Sequence, residues 1–238
     1  MSVEFGSSPS KSQVERAGKQ LRRIKRGEAD ETLLEGCLDV IERYRQTYVK
    51  PMIACNVAMR RFTDALAIEA TVTQRLKRMS TIVEKLTGRE SQMNLANMRD
   101  IAGVRVVVRE LGDLRRLQDY IEQRRRSSGV KIIDYVEDPR SSGYRAVHLI
   151  CDYGTEPSRP VEIQLRTIVM HQWAEMVEGA SDMLGFNYKQ DGNSSFHQWA
   201  VLLSRVFAAR ELDKMADVTS NELEDAWKAM LQDKGGEL

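Results

Sequence analysis

Pro160-Val161-Glu162-Ile163-Gln164-Leu165-Arg166-Thr167 is the segment that most restricts what this chain can fold into. Val161, Ile163 and Leu165 are apolar at every second position, and Glu162, Gln164 and Arg166 fill the alternate places. A strand repeats every two residues, so one face enters a core while the other presents an acid, an amide and a guanidinium. A solvated strand face shows the same alternation, which is ordinary in half-buried strands. The segments upstream decide between a polar surface and a site.

Residues 11–69 read as helices. Val14, Ala17, Leu21 and Ile24 recur at helical spacing, as do Leu34, Leu38, Ile41 and Tyr44, and Pro51 suits the first turn of a further helix. The pattern then changes: Val104 to Val108 is β-rich, Leu111 to Arg126 helical, and Lys131 to Val136 β-rich again. Arg145 to Asp152 and Pro160 to Thr167 read as an antiparallel strand pair joined by a Gly/Pro/Ser loop. A helix carries Val169, Trp173, Met176 and Val177, with Trp173 assigned to the core. Breaks at Gly185 and Asp191-Gly192-Asn193 precede helices from about Ser195 to Leu212 and Ser220 to Gln232. These elements predict an α+β fold, a mixed sheet flanked by helices. Residues 1–10 are expected to form a disordered N-terminus, 11–69 the N-terminal helices, 70–192 the core and 193–238 the C-terminal helices. Residues 11–238 are expected to make one compact domain.

Hydrophobic residues at 42% and charged residues at 30% support a globular core with a polar surface. A net charge of +1 argues against bulk nucleic-acid binding. Charge is nevertheless concentrated locally, with Arg16, Lys19, Arg22, Arg23, Lys25 and Arg26 on the first helix and Arg124-Arg125-Arg126 further on. A solvated helix face is the plain explanation of such runs; phosphate or RNA contact is the sharper one. Cys37, Cys55 and Cys151 are widely spaced and odd in number, which fits neither a disulfide framework nor a metal motif and suits a reducing compartment. There is no signal-peptide pattern and no apolar run of membrane-spanning length, so a cytoplasmic protein without membrane contact is expected.

Three further segments join the polar strand. Gln74-Arg75-Leu76-Lys77-Arg78 precedes a helix-like run from Ser80 to Leu86, and Met98-Arg99-Asp100-Ile101-Ala102-Gly103-Val104-Arg105 opens a strand with an acid at its start. Asp134-Tyr135 is followed by Pro139-Arg140 and then by Gly143-Tyr144-Arg145-Ala146-Val147-His148. In this order the segments resemble the synthetase domain of the RelA/SpoT family, over about residues 70–190. Ser10 to Gly18 is similar to the opening of many single-domain members. Those enzymes move a pyrophosphoryl group from ATP to the 3′-hydroxyl of a guanosine nucleotide. The resemblance implies about five strands in a nucleotidyltransferase-like sheet and a stand-alone small alarmone synthetase, with no hydrolase segment before it and no regulatory tail after it.

Phosphoryl transfer asks a protein for cations around phosphate oxygens, carboxylates for Mg²⁺ and a group that orients the attacking hydroxyl. Arg75 and Lys77 would diverge within a helix, so they are expected just before one, with Ser80 as its N-cap and the helix N-terminus adding positive potential. The resemblance assigns Arg75, Lys77, Lys85 and Arg105 to ATP, with Arg89 a looser match. It assigns Asp100 to Mg²⁺ and Glu162 to the metal or to activation of the acceptor hydroxyl; both acids count as catalytic. Gly143-Tyr144 offers a turn and a ring on which a base can stack. The acceptor side is completed by His148, Gln164, Arg166, His171 and Glu178.

The pattern is also broken in places. Many small alarmone synthetases carry Asn where His171 stands and Glu-His where Glu178-Gly179 stands, with a shorter segment before the equivalent of Asn187-Tyr188-Lys189. The donor side is therefore intact and acceptor identity open. The first expectation is a Mg²⁺-dependent ATP:GDP/GTP pyrophosphokinase that makes (p)ppGpp and releases AMP. The alternative is a toxin that modifies the 3′ end of tRNA. A catalytically silent nucleotide- or RNA-binding regulator ranks third, because a silent binder has no physical need for both Asp100 and Glu162. A homo-oligomer and an antitoxin partner are left open.

Overall fold

The structure is a computed structural model and describes residues 8–88, 93–154, 158–184 and 194–235. Helix α1 (Lys11–Lys25) opens with a reciprocal cap in which the Gln13 amide donates to Ser10 Oγ and the Ser10 amide to the Gln13 side chain. Pro9, which falls in the stretch 1–10 expected to be disordered, is buried, and Ser10 caps α1; residues 1–7 lie outside the described ones. Helices α2 (Leu34–Gln46) and α3 (Val49–Ala65) follow. Pro51 falls in the first turn of α3, where a missing amide costs no intrahelical bond.

The sheet is built from β1 (Ala70–Leu76), β2 (Ala102–Val108), β3 (Lys131–Asp134), β4 (Val147–Tyr153) and β5 (Arg159–Thr167), in the order β1-β2-β5-β4-β3. The β2/β5 pair is parallel and the other three pairs are antiparallel, which makes the five-stranded mixed sheet. Helices α4 (Met79–Thr87) and α5 (Leu111–Arg125) interrupt the strands, and α6 (Ile168–Leu184), α7 (Ser195–Glu211) and α8 (Ser220–Gly235) follow them.

One face of the sheet explains the alternation. Val104, Val106, Leu149, Val161, Ile163 and Leu165 are buried with Cys55 and Met59 of α3 and Leu114, Leu117 and Ile121 of α5 in the main core. Each such side chain contributes about 1.5–3 kcal/mol on burial. A one-residue slip of β5 would put Glu162, Gln164 and Arg166 in their place, so the register is strongly specified. A second, smaller cluster joins Trp173, Ala174 and Val177 of α6 to Phe196 and Ala200 of α7 and Met230 of α8. Trp173 is core, as expected, and its indole nitrogen donates to the Ala200 carbonyl at 2.9 Å.

Two local expectations fail. Residues 70–76 form a strand that the sequence conceals, because it lies at the sheet edge and only Val72 is buried. Ser80 is not the cap of α4: Arg78 holds the extended N-cap position without a side-chain cap bond, and Ser80 lies inside the first turn. The breaks expected at 185 and 191–193, the 187–189 motif and Arg89 lie outside the described residues. Among the described residues, no helix is long and apolar enough to cross a membrane.

Candidate active site

The face of the sheet opposite the core carries polar residues in rows across three strands. Arg75 pairs with Gly103, and Gly103 with Glu162, so glycine leaves open floor between a cation and a carboxylate. The next row aligns Arg105, Gln164 and His148. Helix α6 stands over these rows and contributes Trp173, Ala174, Val177 and Glu178 to a cavity of about 340 Å³. Arg75, Lys77, Lys85, Asp100, Arg105, Tyr144, His148, Glu162, Gln164 and Arg166 line the same cavity. Arg75 lies near the end of β1 and Lys77 just beyond it, two residues before α4, as expected; the Lys77 amide donates to the Ile101 carbonyl at 2.8 Å, so the extended backbone carries both cations to the cavity. Of α4, Lys85 lines the cavity and the residues of the first turn do not.

At one end, Lys77 Nζ and Lys85 Nζ both donate to Asp100 Oδ2, at 2.9 and 3.1 Å. Burial would raise the Asp100 carboxyl, but the two ammonium groups outweigh it and hold it below the usual carboxylate value. Asp100 Oδ1 is buried with no hydrogen-bond partner among the described residues. Arg105 donates to Glu175 Oε1 at 2.8 Å. Burial, and after it the neighbouring Arg166 charge, lowers the Arg105 guanidinium from its ordinary value.

At the other end the polar groups close on themselves. His148 Nδ1 lies 3.0 Å from Glu162 Oε1, and Gln164 Nε2 donates to Glu162 Oε2 at 2.8 Å. The far ring nitrogen of His148 is 2.7 Å from the Tyr144 hydroxyl. Arg166 Nη2 reaches that hydroxyl at 3.0 Å and Gln164 Oε1 at 3.3 Å, completing a ring of five side chains. Burial would raise the Glu162 carboxyl, but the bonds from His148 and Gln164 more than offset it and hold the carboxyl low. An ionised Glu162 can only accept, so His148 Nδ1–H donates to it, and the other ring nitrogen shares a hydrogen bond with the Tyr144 hydroxyl. Burial pushes the Tyr144 hydroxyl up, so it stays a proton donor. The Tyr144 ring has the Arg166 guanidinium 5.1 Å from its centroid and meets Tyr135 edge-on at 6.0 Å.

His171, in the first turn of α6, is not among the residues that line the cavity, but it lies close enough to Arg105, Arg166 and Glu178 for their charges to act on it. Its Nδ1 is 3.6 Å from Glu175 Oε1, beyond hydrogen-bond reach. Two residues at or beside the cavity have no role assigned from the sequence. Glu175 partners Arg105, and Arg140 lines the cavity while lying 4.5 Å from the Tyr135 ring centroid. Arg140 stands in a motif that the sequence displays, whereas an exposed helical acid such as Glu175 gives no signal.

The region found in RelA / SpoT proteins matches residues 74–193, half of the chain. The chain belongs to the RelA/SpoT family. It is 29% identical over 171 residues to GTP pyrophosphokinase YjbM of Bacillus subtilis (strain 168), covering 69% of this chain and 78% of that protein. It is 32% identical over 111 residues to GTP pyrophosphokinase YwaC of the same organism, covering 43% of this chain and 53% of YwaC. The crystal structure of small alarmone synthetase 1 from Bacillus subtilis bound to its product pppGpp aligns with a TM-score of 0.59 at 25% identity. That match covers 72% of this chain and 93% of the synthetase. A GTP pyrophosphokinase family protein from Streptococcus pneumoniae shares the fold, with a TM-score of 0.59 at 22% identity over 80% of this chain and 96% of its own. The mixed five-stranded sheet flanked by helices is thus the RelA/SpoT synthetase fold, and the cavity lies within the matched family region.

Proposed function

We propose that this RelA/SpoT-family protein transfers the β,γ-pyrophosphoryl group of ATP to the 3′-hydroxyl of GDP or GTP. The observation that carries this reading is the division of one cavity into a cationic end and a carboxylate-centred ring, in a chain similar to GTP pyrophosphokinases. The 3′-oxygen forms a bond to the β-phosphorus of ATP, the bond from that phosphorus to the oxygen bridging to the α-phosphate breaks, and AMP leaves with the bridging oxygen. The 3′-hydroxyl proton passes to a Glu162 carboxylate oxygen, which His148 and Gln164 hold in place. Arg75, Lys77, Lys85 and Arg105 bind phosphate oxygens, and Tyr144 stacks on the acceptor base.

The residues present fit a Mg²⁺ ion. Asp100 Oδ1 is a buried oxygen without a partner among the described residues, and Glu162 is close enough for the Asp100 charge to act on it. No group of three or more His, Cys, Asp or Glu gathers among the described residues. Asp100 and Glu162 would therefore hold the ion, with phosphates and water as its other ligands, as Mg²⁺ prefers. Bound there, Mg²⁺ would neutralise phosphate charge.

Incubation with γ-labelled ATP and, separately, GDP, GTP, unlabelled ATP and bulk tRNA tests the reading. Label in a guanosine nucleotide with stoichiometric AMP is expected. Label in tRNA alone would replace the nucleotide acceptor with a tRNA 3′ end.

A further inference from the structure

One buried carboxylate outside the cavity joins the two chain segments that deliver Tyr144 and Arg166. Glu211 ends α7, and its Oε2 accepts from Arg145 Nη1 at 2.6 Å, with the two side chains 7% and 6% exposed. Its Oε1 accepts from the Thr167 hydroxyl. That same hydroxyl receives the Met170 amide at 3.2 Å and so caps the start of α6. Arg145 directly follows Tyr144, and Thr167 directly follows Arg166. A single side chain thus fixes the backbone next to two members of the five-residue ring.

Helix α7 grips the turn a second time. Ser204 Oγ donates to the Gly143 carbonyl at 2.5 Å. Gly143 has φ +83°, and a side chain there would come within 3.1 Å of Ser204 Cβ and Val201 Cα. The 143–145 turn is therefore held at both ends by one helix, through Ser204 and through Glu211. The donor cations Arg75, Lys77 and Lys85 come from β1, its following residues and α4, and β1 is separated from β5 and β4 by β2. Glu211 also lies beyond residue 193, where the family match ends.

We propose that Glu211 is a positioning residue for the acceptor half of the site, setting Tyr144 and Arg166 through Arg145 and Thr167. The inference rests on the reading of the cavity as a donor half and an acceptor half. Removing one partner of a buried ion pair leaves the other charge uncompensated, so the turn loses its anchor when the carboxylate is lost.

Glu211→Gln keeps the shape and the Thr167 contact but removes the charge opposite Arg145. The KM for GDP should rise about tenfold, as expected for a small misplacement of binding groups, while the KM for ATP stays within about twofold. Trypsin cleavage after Arg145, which is 5% exposed, should accelerate in the folded protein relative to other sites. Glu211→Asp, which keeps the charge with a shorter reach, should restore part of the acceptor KM. A rise of both KM values together, or an unchanged KM for GDP, would overturn the inference. Should Glu211→Gln not fold by thermal unfolding, the same two KM values are measured on Glu211→Asp: a rise for GDP alone supports the inference, and any other pattern overturns it. If the wild-type protein labels neither GDP nor GTP, the proposed function falls. The trypsin arm then decides alone, and unchanged cleavage after Arg145 would end the proposal.

Discussion

The two halves of the cavity are built on opposite principles. The donor half draws Arg75, Lys77, Lys85, Arg105 and Asp100 from β1, α4, β2 and the chain between them, and pairs Lys77, Lys85 and Arg105 with acids. On the proposed reading, phosphates would have to displace those pairs, because both ammonium groups now sit on Asp100. The acceptor half draws its ring from β4, β5 and the turn before β4, and its members bond one another. Nothing in that ring needs to be exchanged for a base to stack or a hydroxyl to approach Glu162. The donor end is a charge reservoir and the acceptor end is a preorganised frame, the arrangement that electrostatic catalysis favours at the reacting group.

The largest break in this contrast should come from Glu162→Gln. It keeps the shape of the ring and removes the carboxylate, and loss of a proton-handling or metal-holding group costs about 3–4 kcal/mol of transition-state stabilisation, or roughly a thousandfold in turnover. Steady-state label transfer measures this, with thermal unfolding as the control for folding. Retention of more than about a tenth of wild-type turnover would remove Glu162 from the chemistry.

Tyr144 separates the ring from the stack. Tyr144→Ala deletes both, and loss of base stacking at about 1–3 kcal/mol predicts acceptor use down roughly ten- to a hundredfold with ATP binding unchanged. Tyr144→Phe keeps the ring but strands the His148 ring nitrogen and takes one of two partners from Arg166 Nη2, so a smaller loss of about 1 kcal/mol is expected. Equal KM values for the acceptor in the two variants would show that the hydroxyl network, not the ring, carries recognition.

The acceptor half is legible in the sequence and the donor half less so, for a physical reason. Strand β5 is central and buried on one face, so its apolar side chains have to alternate and the polar row stands out. Strand β1 is an edge with one buried residue, so Arg75 at its end merges with Lys77 and Arg78 into what reads as one basic stretch ahead of a helix. His171 is drawn into the site by family position and stands beside the lining, within reach of the Arg105 and Arg166 charges. Glu211 is invisible, because an acid at the end of a helix acquires meaning only when Arg145 and Thr167, distant in sequence, fold against it.

The reservoir can be tested without turnover. Asp100→Asn removes the carboxylate that occupies Lys77 and Lys85, so ATP affinity measured by calorimetry in EDTA should rise about fivefold, on the order of 1 kcal/mol for a partly exposed pair. A fall in metal-free affinity would mean that the two lysines do not face the nucleotide.

Behind the acceptor frame, Asp134 bonds Arg115 and accepts the Val136 amide at 2.9 Å. Burial opposes ionisation, but these bonds hold its carboxyl below the usual carboxylate value. A depressed carboxyl contributes stability in full above its unfolded value and loses it as pH falls through the lower folded value. Asp134→Asn should therefore make the loss of stability below about pH 4 shallower, read from urea midpoints between about pH 3 and 6, without changing transfer at neutral pH.

The smallest effect asks whether the acceptor half extends beyond the cavity. The basic face of α1 is a candidate RNA surface by sequence, but Arg22 is already committed to the Met93 carbonyl at 2.8 Å, so its removal would disturb packing as well as charge. Lys19, Arg23 and Arg26 are exposed and make the cleaner set. With GDP or GTP as acceptor, the triple change to Gln should leave kcat/KM within about twofold, because exposed charges away from the ligand act only through screened long-range fields. With a tRNA acceptor the same change would remove phosphate contacts, weaken transfer and flatten the dependence on salt, since fewer contacts release fewer counterions. Label transfer to GDP and to tRNA at about 50 and 200 mM salt distinguishes the two. A steep salt dependence for tRNA that the triple change abolishes would place α1 in the acceptor half and make the frame of Tyr144, His148 and Arg166 only its inner end.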